Sequence, residues 1–492
     1  MIGRTFTAAL LASALATPLQ AQDRTDAIAA ELAAMRAKIA QLEAEVAALK
    51  AKSVEAAPAP VAITTAAPAA AENPSWKGAP QFTGKNGFSF KPTGVLQFDA
   101  GYVGTPGPER TGTVSGLNYN NLGWNSRGRR LIIGAEGTLP GGFGYKAEFN
   151  LAQGAVDYED IVLTYRGEKS PLQITIGNFF PYSSLDTVTS SRFTSFLERA
   201  SLTDAFVYNR RLGVGVSLTD PKNDLYTLSA GIFGQEINNA AFNRTGWQAS
   251  MRGTFSPSLG ATRLHLGANF QHRVAPRDVQ NVQYRARPLT QLTDQRFIDT
   301  GAIAADGDDI AGLELGAIHG PLHFAAEAQR VWTRGFRAGR SFGPNNGTGG
   351  GLFYADDPAF ASAYAEVGLF LTGESRGYKG GRWDRTKVSN PFDKGGWGAV
   401  QINLRADYVD LADRVSGTGL AAPDFVNGGR QLGLEASLIW NPTDYLRFIA
   451  QYARADLEGG PRAATVVPGS TEPLDERGFN VDTFGLRAQV DF

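Results

Sequence analysis

Arginine is the side chain whose number and spacing in this 492-residue sequence could do chemistry. The 47 basic residues comprise 35 arginines and 12 lysines, and a planar guanidinium group binds carboxylate or phosphate through two parallel hydrogen bonds. Two groups of arginines stand close together in the sequence: Arg127, Arg129 and Arg130, and Arg192, Arg199, Arg210 and Arg211. Because the net charge is only −1, any preference for anions must arise locally, where carboxylates do not cancel these cations.

The sequence contains few residues that could support other kinds of chemistry. The absence of cysteine excludes disulfides, thiolate metal sites and cysteine nucleophiles. No serine and aspartate accompany the four histidines at the spacing of a catalytic triad. These histidines are His265, His272, His319 and His323. We therefore predict that the protein is not an enzyme and needs no cofactor or metal, and the near-zero net charge predicts that nucleic acid is not a partner.

From about residue 88 onward, apolar and polar residues alternate with a period of two. In segment 400–406, for example, valine, isoleucine, leucine and alanine alternate with glutamine, asparagine and arginine. Such alternation predicts β-strands with one apolar face and one face in water. Sixteen segments follow the pattern: 92–103, 129–137, 144–152, 158–166, 172–177, 211–218, 225–233, 246–255, 263–271, 310–318, 322–333, 361–371, 398–410, 431–440, 445–454 and 481–492.

The connections between these segments alternate in length, which distinguishes two rims. Short turns rich in proline, glycine and aspartate alternate with long polar loops, and the loops are 104–128, 178–210, 272–309, 334–360, 411–430 and 455–480. Two connections break the rule, since 153–157 is short where a long loop is due and 373–396 is long where a turn is due. An even strand number, a wet second face and two unequal rims are typical of an outer-membrane barrel.

We therefore predict an all-β fold, a sixteen-stranded antiparallel transmembrane β-barrel with a water-filled lumen. A soluble β-sandwich or solenoid would also have a wet face, but it would not explain tyrosine and tryptophan near strand ends, which suit membrane interfaces. These aromatic residues are Tyr102, Tyr165, Trp332, Trp397, Trp440 and Tyr452. The apolar face would then contact outer-membrane lipid, and the polar face would line a pore.

Arginines on the polar phase of their strands would line this pore. They are Arg130, Arg211, Arg252, Arg263, Arg405, Arg447 and Arg487. Clustered guanidinium groups in a low-dielectric wall attract anions and replace part of their hydration shell. The alternative is that each arginine pairs with an inward carboxylate and braces the wall. The candidate partners are Asp99, Glu136, Glu148, Glu159, Glu314 and Glu435, and the sequence leaves both possibilities open.

The residues before the barrel predict three segments. Residues 1–21 have one arginine, an apolar run at 6–16 and a small residue at the cut, as in a secretory signal peptide. Residues 22–55 carry a heptad pattern of apolar residues with oppositely charged flanking pairs, which predicts a parallel homo-oligomeric α-helical coiled coil. The alternative for this segment is an amphipathic helix lying on its own protein. Residues 56–80 are a Pro/Ala-rich linker, and the barrel domain covers 81–492.

Several longer motifs occur in the order found in a known family. They are SRFTSFLER at 191–199, NRRLGVGV at 209–216, LTGESRGYKG at 371–380, GGWGAVQINLRADYVDL at 395–411, LIWNPTDYLRFIAQYARAD at 438–456 and FGLRAQVDF at 484–492. From residue 88 to 492 the sequence resembles the phosphate-selective porin O/P family. This resemblance implies a homotrimeric sixteen-stranded porin whose third loop folds inward, with arginines that draw phosphate to a central site.

The resemblance also implies roles for particular residues. The family's paired arginines at the start of the second strand correspond to Arg129 and Arg130. The serines and the basic residue of its constriction correspond to Ser190, Ser191 and Arg192. A later arginine corresponds to Arg199, and a buttressing acidic residue corresponds to Glu159 or Asp160. With the inward-phase Arg211, these are the candidate anion-binding residues. Two positions depart from the family, since Val95 and Thr187 stand where basic residues are expected. Losing two cations weakens the capture of an oxyanion.

The function that follows is passive diffusion of small solutes through a porin in the outer membrane of a Gram-negative bacterium, biased toward phosphate or other small anions. A homo-oligomer, the trimer that the resemblance implies, would sit in the lipid with its coiled coil in the periplasm. The alternative function is structural: the coil and linker would tether the outer membrane to peptidoglycan, and the pore would be general or take neutral solutes.

Overall fold

The chain divides into two units, Met1–Asn73 and Pro74–Phe492, in the computed structural model. The structure describes residues 33, 36–41, 43–45, 74–237, 246–277, 280–335, 357–413 and 426–492. In the first unit, residues 36–41 and 43–45 are helical and exposed, within the predicted coil. The predicted signal peptide and most of the predicted linker lie outside the described residues, and association of the helix with other copies stays a prediction.

Sixteen antiparallel strands dominate the second unit, and each pairs with the next along the chain. They are β1 (Ser89–Val103), β2 (Gly123–Leu139), β3 (Phe143–Asn150), β4 (Asp157–Tyr165), β5 (Leu172–Phe179), β6 (Arg211–Thr219), β7 (Tyr226–Phe233), β8 (Trp247–Phe255), β9 (Thr262–Val274), β10 (Gly307–His319), β11 (Leu322–Arg334), β12 (Ala359–Phe370), β13 (Ala399–Asp413), β14 (Val426–Thr443), β15 (Leu446–Glu458) and β16 (Gly478–Asp491). Strand β16 pairs in turn with β1, so the sheet closes on itself. The predicted sixteen-stranded antiparallel barrel is confirmed.

Alternation along each strand sorts the side chains between membrane and lumen. In β13, Ile402 and Leu404 are 42% and 60% exposed, whereas Gln401, Asn403 and Arg405 are buried inside the barrel. Lipid offers no hydrogen-bond partner, so the polar phase must face inward and the apolar phase outward. The six predicted interfacial aromatics are all exposed: Tyr102, Tyr165, Trp332, Trp397, Trp440 and Tyr452. Among the described residues, no helix combines the length and apolar composition that a bilayer crossing requires.

Strand length divides the barrel into a low side and a high side. Strands β3–β8 have 8 or 9 residues each. Strands β9–β16 have 12 to 18 residues, and β1 and β2 have 15 and 17. We call β3–β8 the low wall. The connection between β3 and β4 at its edge is short, as the sequence indicates, and contains only the 3₁₀ turn Ala152–Gly154.

Contacts across the closure seam are tight. The backbone N–H of Gly94 in β1 donates to the carbonyl of Phe492, and the N–H of Phe492 donates to the carbonyl of Gly94, each at 3.0 Å. A Cβ atom on Gly94 would lie 2.3 Å from the Phe492 ring, so glycine is required for the ring to lie against the strand. Two short paired strands, Ser75–Trp76 and Pro80–Thr83, precede β1 at the same rim.

Several of the described connections fold into the lumen. The inward loop, residues 180–210 between β5 and β6, contains helices α1 (Leu185–Val188) and α2 (Ser201–Phe206). The connection between β9 and β10 contains two short strand pairs, Asn281–Val282 with Ile303–Ala304 and Arg285–Ala286 with Ile298–Asp299. The connection between β12 and β13 enters from the short-turn rim and contains the lumen hairpin, Gly377–Lys379 paired with Arg382–Asp384. A 3₁₀ turn, Phe392–Lys394, follows it.

The hydrophobic core lies inside the barrel, between these inserted segments and the wall. Phe206 of the inward loop, Tyr284 of the next loop and Phe360 of β12 stack edge to face and tilted, with ring centroids 5.8 and 5.1 Å apart. Helix α3 (Ala463–Val466), in the loop between β15 and β16, adds Val466 to the same core. Smaller elements complete the fold: the strand pair Thr113–Val114 with Leu117–Asn118 and Ser258–Leu259, and the 3₁₀ turns Lys85–Gly87 and Tyr119–Asn121.

Candidate functional site

A large cavity in the lumen, formed by the described residues, is the candidate site. It has a volume of about 1100 Å³ and is lined by strands β1–β8, the inward loop, the β9–β10 connection and the lumen hairpin. Seven of the eight candidate anion-binding residues line it: Arg129, Arg130, Glu159, Ser190, Ser191, Arg192 and Arg199. Arg211 is not among its lining residues. Its guanidinium lies over the Tyr208 ring, 4.5 Å from the centroid, and 3.9 Å from Glu236. We call this space the pore cavity.

A β-bulge brings two neighbouring arginines to the same face of β2. Gln97 of β1 pairs with Arg130, but the next residue of β1, Phe98, pairs with Gly128, so Arg129 is an extra residue. Such an insertion interrupts the two-residue alternation, which otherwise would place only one of the two arginines inside. Both side chains therefore line the pore cavity.

The two arginines at the bulge differ in whether a carboxylate neutralises them. Arg129 donates from Nε and Nη2 to both carboxylate oxygens of Glu198, at 2.7 and 2.9 Å. Arg130 donates to the amide oxygen of Gln97 at 2.7 Å and has no carboxylate partner among the described residues. Arg129 is thus a bidentate ion pair, and Arg130 keeps its charge toward the cavity.

The serine-containing turn of the inward loop carries Arg192 to the cavity. Ser190 Oγ accepts from the Arg192 backbone N–H at 3.3 Å, and the Ser191 carbonyl accepts from Gln97 at 3.3 Å. The Arg192 guanidinium binds Glu148 at 2.8 Å. Lys146 lies 2.8 Å from the same carboxylate. Arg192 therefore belongs to a compensated group on β3.

Arg199 is held only by carbonyl oxygens of its own loop. It donates to the carbonyls of Asp186 and Thr189 at 3.0 and 2.7 Å, and it has no ion pair within the described part of the chain. Burial lowers the pKa of its guanidinium, Asp186 partly offsets this, and the neighbouring cation Arg210 lowers the pKa further. The group stays protonated at any physiological pH, so it is a partly buried cation that forms no ion pair with the described residues.

The acidic residues Glu159 and Asp160 both bind Arg210. Glu159 forms an ion pair with its Nη1, and Asp160 accepts from its Nε at 2.6 Å. Lys146 donates to Asp160 at 3.0 Å. The two carboxylates thus neutralise cations at the end of the inward loop, next to the cavity.

Other inward arginines brace the wall. Arg252 pairs with Glu314, Arg405 with Glu435, and Arg487 with Asp99, each through hydrogen bonds of 2.6–2.9 Å between buried groups. These are the partners that the bracing alternative names. Bracing therefore accounts for these three arginines, whereas Arg130 and Arg199 have no carboxylate partner among the described residues.

Val95 and Thr187, which stand where basic residues are expected, add no charge to the cavity. Val95 is fully buried. Thr187 is fully buried too, and its hydroxyl lies 2.9 Å from that of Ser184 and 3.2 Å from that of Thr203.

The model of the family described as phosphate-selective porin O and P matches residues 111–492, which is most of the barrel described above. The chain belongs to this family. Two curated relatives are similar to this chain. An uncharacterized protein of Caulobacter vibrioides is 34% identical over 97% of this chain and 92% of its own. Porin O of Pseudomonas aeruginosa is 25% identical over 75% of this chain and 83% of its own.

Solved porin structures also align with this chain. The outer-membrane channel DcaP of Acinetobacter baumannii aligns with a TM-score of 0.47 and 14% identity, over 84% of this chain and 99% of that one. An anion-selective porin from Comamonas acidovorans aligns with a TM-score of 0.44 and 10% identity, over 82% and 100%. The family and the barrel together identify this chain as an outer-membrane porin.

The sequence pattern does not identify several residues that shape the porin's cavity. Glu198 neutralises Arg129, and Lys146 joins the Arg192 group, yet loop residues lack the periodicity that would indicate their orientation. The sequence indicates the lumen hairpin only through the unexpected length of the 373–396 connection. Length alone does not show that the connection folds into the lumen. Its Trp383 is buried, and Arg252 donates to its Gly381 carbonyl at 2.7 Å. Within the described residues, no group of three or more acidic or histidine side chains could hold a metal ion.

Proposed function

We propose that this porin conducts small solutes by passive diffusion and prefers anions, phosphate among them. The observation that carries the proposal is the pair Arg130 and Arg199, two cavity-lining guanidinium groups with no carboxylate partner among the described residues. Arg129, Arg192 and Arg210 beside them are neutralised by carboxylates, so Arg130 and Arg199 contribute positive charge that no described carboxylate pairs with. In a narrow cavity with low-dielectric walls, such an excess raises the local concentration of anions.

The hydrogen-bonding groups beside these cations suit a small oxyanion. Ser190 and Ser191 line the same cavity, and hydroxyl donors together with guanidinium groups can replace the water that a partly dehydrated anion loses. A single weak site of this kind permits passage, because conduction requires binding that is favourable but readily reversed.

Reversal potentials in planar lipid bilayers test the proposal. Under a KCl gradient, the wild-type channel should show a potential of the sign that chloride permeation gives. The Arg130→Gln/Arg199→Gln variant should move the potential toward zero. Arg454→Gln is the matched control, because Arg454 is outside the lumen and paired with Asp456 at 2.9 Å. A cation-selective wild-type channel would overturn the proposal.

We also propose that the porin is a homo-oligomer, a trimer as the family resemblance implies, with the low wall facing the other copies. An 8-residue strand is about 26 Å long at about 3.3 Å per residue, and a tilt of about 40° reduces its height to about 20 Å. The apolar band of an outer-membrane barrel is about 25 Å tall. Strands β3–β8 are therefore too short to cover the band by themselves, and a neighbouring copy would shield their polar ends.

A structural role for the N-terminal segment is a second proposal. Residues 36–41 and 43–45 are helical with every side chain exposed, so their apolar positions are available to other copies. Residues 75–83 lie at the short-turn rim, which faces the periplasm in outer-membrane barrels. A periplasmic coil could then reach peptidoglycan. Deleting residues 23–72 should weaken the envelope against detergent while single-channel conductance is unchanged; an unaffected envelope would contradict the tether.

A further inference from the structure

Aromatic side chains lie beside Arg199, one of the two arginines of the pore cavity without a carboxylate partner among the described residues. We propose that, among the anions it conducts, this porin binds organic anions with a flat apolar body, such as aromatic carboxylates, more tightly than it binds phosphate and other inorganic anions. This inference rests on the proposed anion preference and specifies its substrate class. The carboxylate would bind at Arg130 and Arg199, and the ring would lie on an aromatic patch that we define as Phe179, Phe180 and Tyr182.

The patch belongs to the cavity surface and is backed by further aromatic packing. All three residues line the pore cavity and are partly exposed to it. Phe233, almost fully buried, packs behind them, with centroids 5.0 Å from Phe179 and 6.0 Å from Tyr182. Phe179 and Tyr182 are themselves 6.0 Å apart and edge to face. These distances fix the rings in position, so the patch offers a rigid apolar surface on one side of the pore cavity.

The wall behind the patch is shaped to accommodate it. On the inward phase of β6 and β7, where other strands carry polar side chains, this wall has glycine. A Cβ atom on Gly213 would lie 2.4 Å from the Phe233 ring, and one on Gly215 would lie 2.5 Å from the Tyr182 hydroxyl. A Cβ atom on Gly231 would lie 2.8 Å from Phe233. Any larger residue would displace the rings, so the absence of side chains here creates the recess that the patch fills.

The patch and the cations are in direct contact. The Arg199 guanidinium lies 5.5 Å from the centroid of the Phe180 ring, and that of Arg210 lies 4.3 Å from it. Arg210 is paired with Asp160, which leaves Arg199 as the cation available to a solute next to the rings. A charged end and an apolar end of one molecule therefore find complementary groups within a single molecular length.

The chemistry favours an aromatic acid over a small inorganic anion at this place. Phosphate is hydrated on every side and gains nothing from contact with a ring face. An aromatic carboxylate has a poorly solvated ring, and stacking on another ring favourably removes that apolar surface from water. An offset or edge-to-face aromatic contact corresponds to about a three- to tenfold change in binding constant. Acetate, with the same carboxylate and no ring, is the matched comparison.

Titration of benzoate, acetate and phosphate into the chloride current of single channels tests the inference. Benzoate should reduce the current by half at about a three- to tenfold lower concentration than acetate. Tyr182→Leu and Phe179→Leu should each remove most of this advantage and leave the phosphate effect unchanged. Tyr182→Phe keeps the ring and should keep the advantage. Phe270→Leu, on the membrane face of β9 and 38% exposed, is the control.

The outcomes separate the inference from the function on which it rests. Equal half-blocking concentrations for benzoate and acetate would overturn the aromatic-anion proposal and leave the anion preference standing. A benzoate advantage that survives both leucine variants would also overturn it, because the ring would then bind elsewhere. A wild-type channel without anion preference would refute the proposed function itself.

Discussion

At the residue scale, pairing decides which arginines give the lumen its charge. Arg129 and Arg130 are adjacent in sequence and both face the cavity, yet only Arg129 has a carboxylate, at 2.7 Å. Arg199 is adjacent to Glu198 but is bound by carbonyl oxygens alone. The abundance of arginine in the sequence is therefore a poor measure of the field that a solute meets.

Glu198→Gln should increase the preference for anions, the opposite sign to Arg199→Gln. Removing this carboxylate frees Arg129, which binds it bidentately, and takes one anion from Arg487, 3.1 Å away. A unit charge about 8 Å from a permeating ion is worth about 2 kcal/mol at an effective dielectric constant of about 20, before screening by salt. Reversal potentials should thus report a severalfold change in permeability ratio.

The control for Glu198→Gln is Glu458→Gln, the same chemical change on the outer surface of the barrel. Glu458 is exposed and pairs with Arg430 at 3.0 Å. Its replacement should leave the reversal potential unchanged. An equal shift in both variants would mean that the effect does not come from the pore cavity.

The Glu198 contribution should not depend on pH between 8 and 4. Burial would raise the pKa of this carboxyl, but Arg129 and then Arg487 outweigh burial and hold the pKa far below its usual range. The pKa of Glu198 in the folded protein lies below its pKa of about 4.3 in the unfolded chain. Its negative charge is therefore fully present above pH 4.3, and it is lost only as the pH falls through the lower pKa of the folded protein. The difference in reversal potential between wild type and Glu198→Gln should therefore stay constant; a midpoint near pH 4.5 would contradict this.

Seven of the eight candidate residues named from the sequence line the pore cavity, but the sequence does not reveal their pairing. Alternation places Arg130 inward, since its strand is regular from that point. It does not reveal the bulge that turns Arg129 inward too, because an inserted residue is visible only in the register with β1. Glu198 and Arg199 lie in a loop, where no periodicity constrains side-chain direction, and their roles depend on contacts with strands far away in sequence.

At the element scale, side chains of the wall hold the inward loop in place. Both carboxylate oxygens of Glu327 accept backbone N–H groups at the start of α1, from Leu185 at 2.8 Å and Asp186 at 2.7 Å, and Tyr364 donates to the same group at 2.6 Å. Gln451 accepts from the Leu197 N–H at 2.7 Å. The loop is thus fixed at several points by donors and acceptors from different strands.

Glu327→Ala should loosen the inward loop. The change leaves two buried N–H groups and one phenol without an acceptor, at a cost of about 1–3 kcal/mol for each unsatisfied group. We expect a lower midpoint of thermal unfolding, larger open-channel noise and a less uniform conductance. Glu327→Gln keeps one acceptor oxygen and should give an intermediate result. Quiet, uniform channels in the alanine variant would show that Glu327 does not position the loop.

The lumen hairpin illustrates what strand patterning can and cannot predict. All sixteen strands are visible in the sequence because each satisfies its own alternation. The connection between β12 and β13 is visible as an exception in length, but its inward course depends on Tyr378 meeting His265, with the phenol 2.7 Å from Nδ1, and on Trp383 packing nearby. Such contacts join residues more than a hundred positions apart, and single-sequence patterns do not contain them.

At the scale of the whole molecule, the low wall gives the barrel two unlike sides. On the high side, strands of 12 to 18 residues are long enough to cross the apolar band. On the low side they are not, unless protein covers them. The asymmetry predicts where copies of the chain meet.

Ile176→Arg should disrupt the oligomer, whereas Leu315→Arg should not. Ile176 is at the middle of β5 in the low wall and Leu315 in β10 of the high side, and both are 51% exposed. Arginine on a lipid face costs about 2–4 kcal/mol at the bilayer midplane, so both variants bear a similar penalty as monomers. Only the first adds a charge to the proposed interface. Native mass spectrometry in detergent would measure the oligomer, and oligomers equally stable in both variants would refute the placement.

Closure of β16 onto β1 has a consequence for biogenesis. The two strands are joined by pairs such as Arg487 with Asp99, nearly four hundred positions apart, so β1 has one unpaired edge until β16 has been synthesised and exported. Exposed strand edges promote aggregation. We therefore expect that the chain needs protection from aggregation until both strands are present in the membrane, because the sheet can close only then.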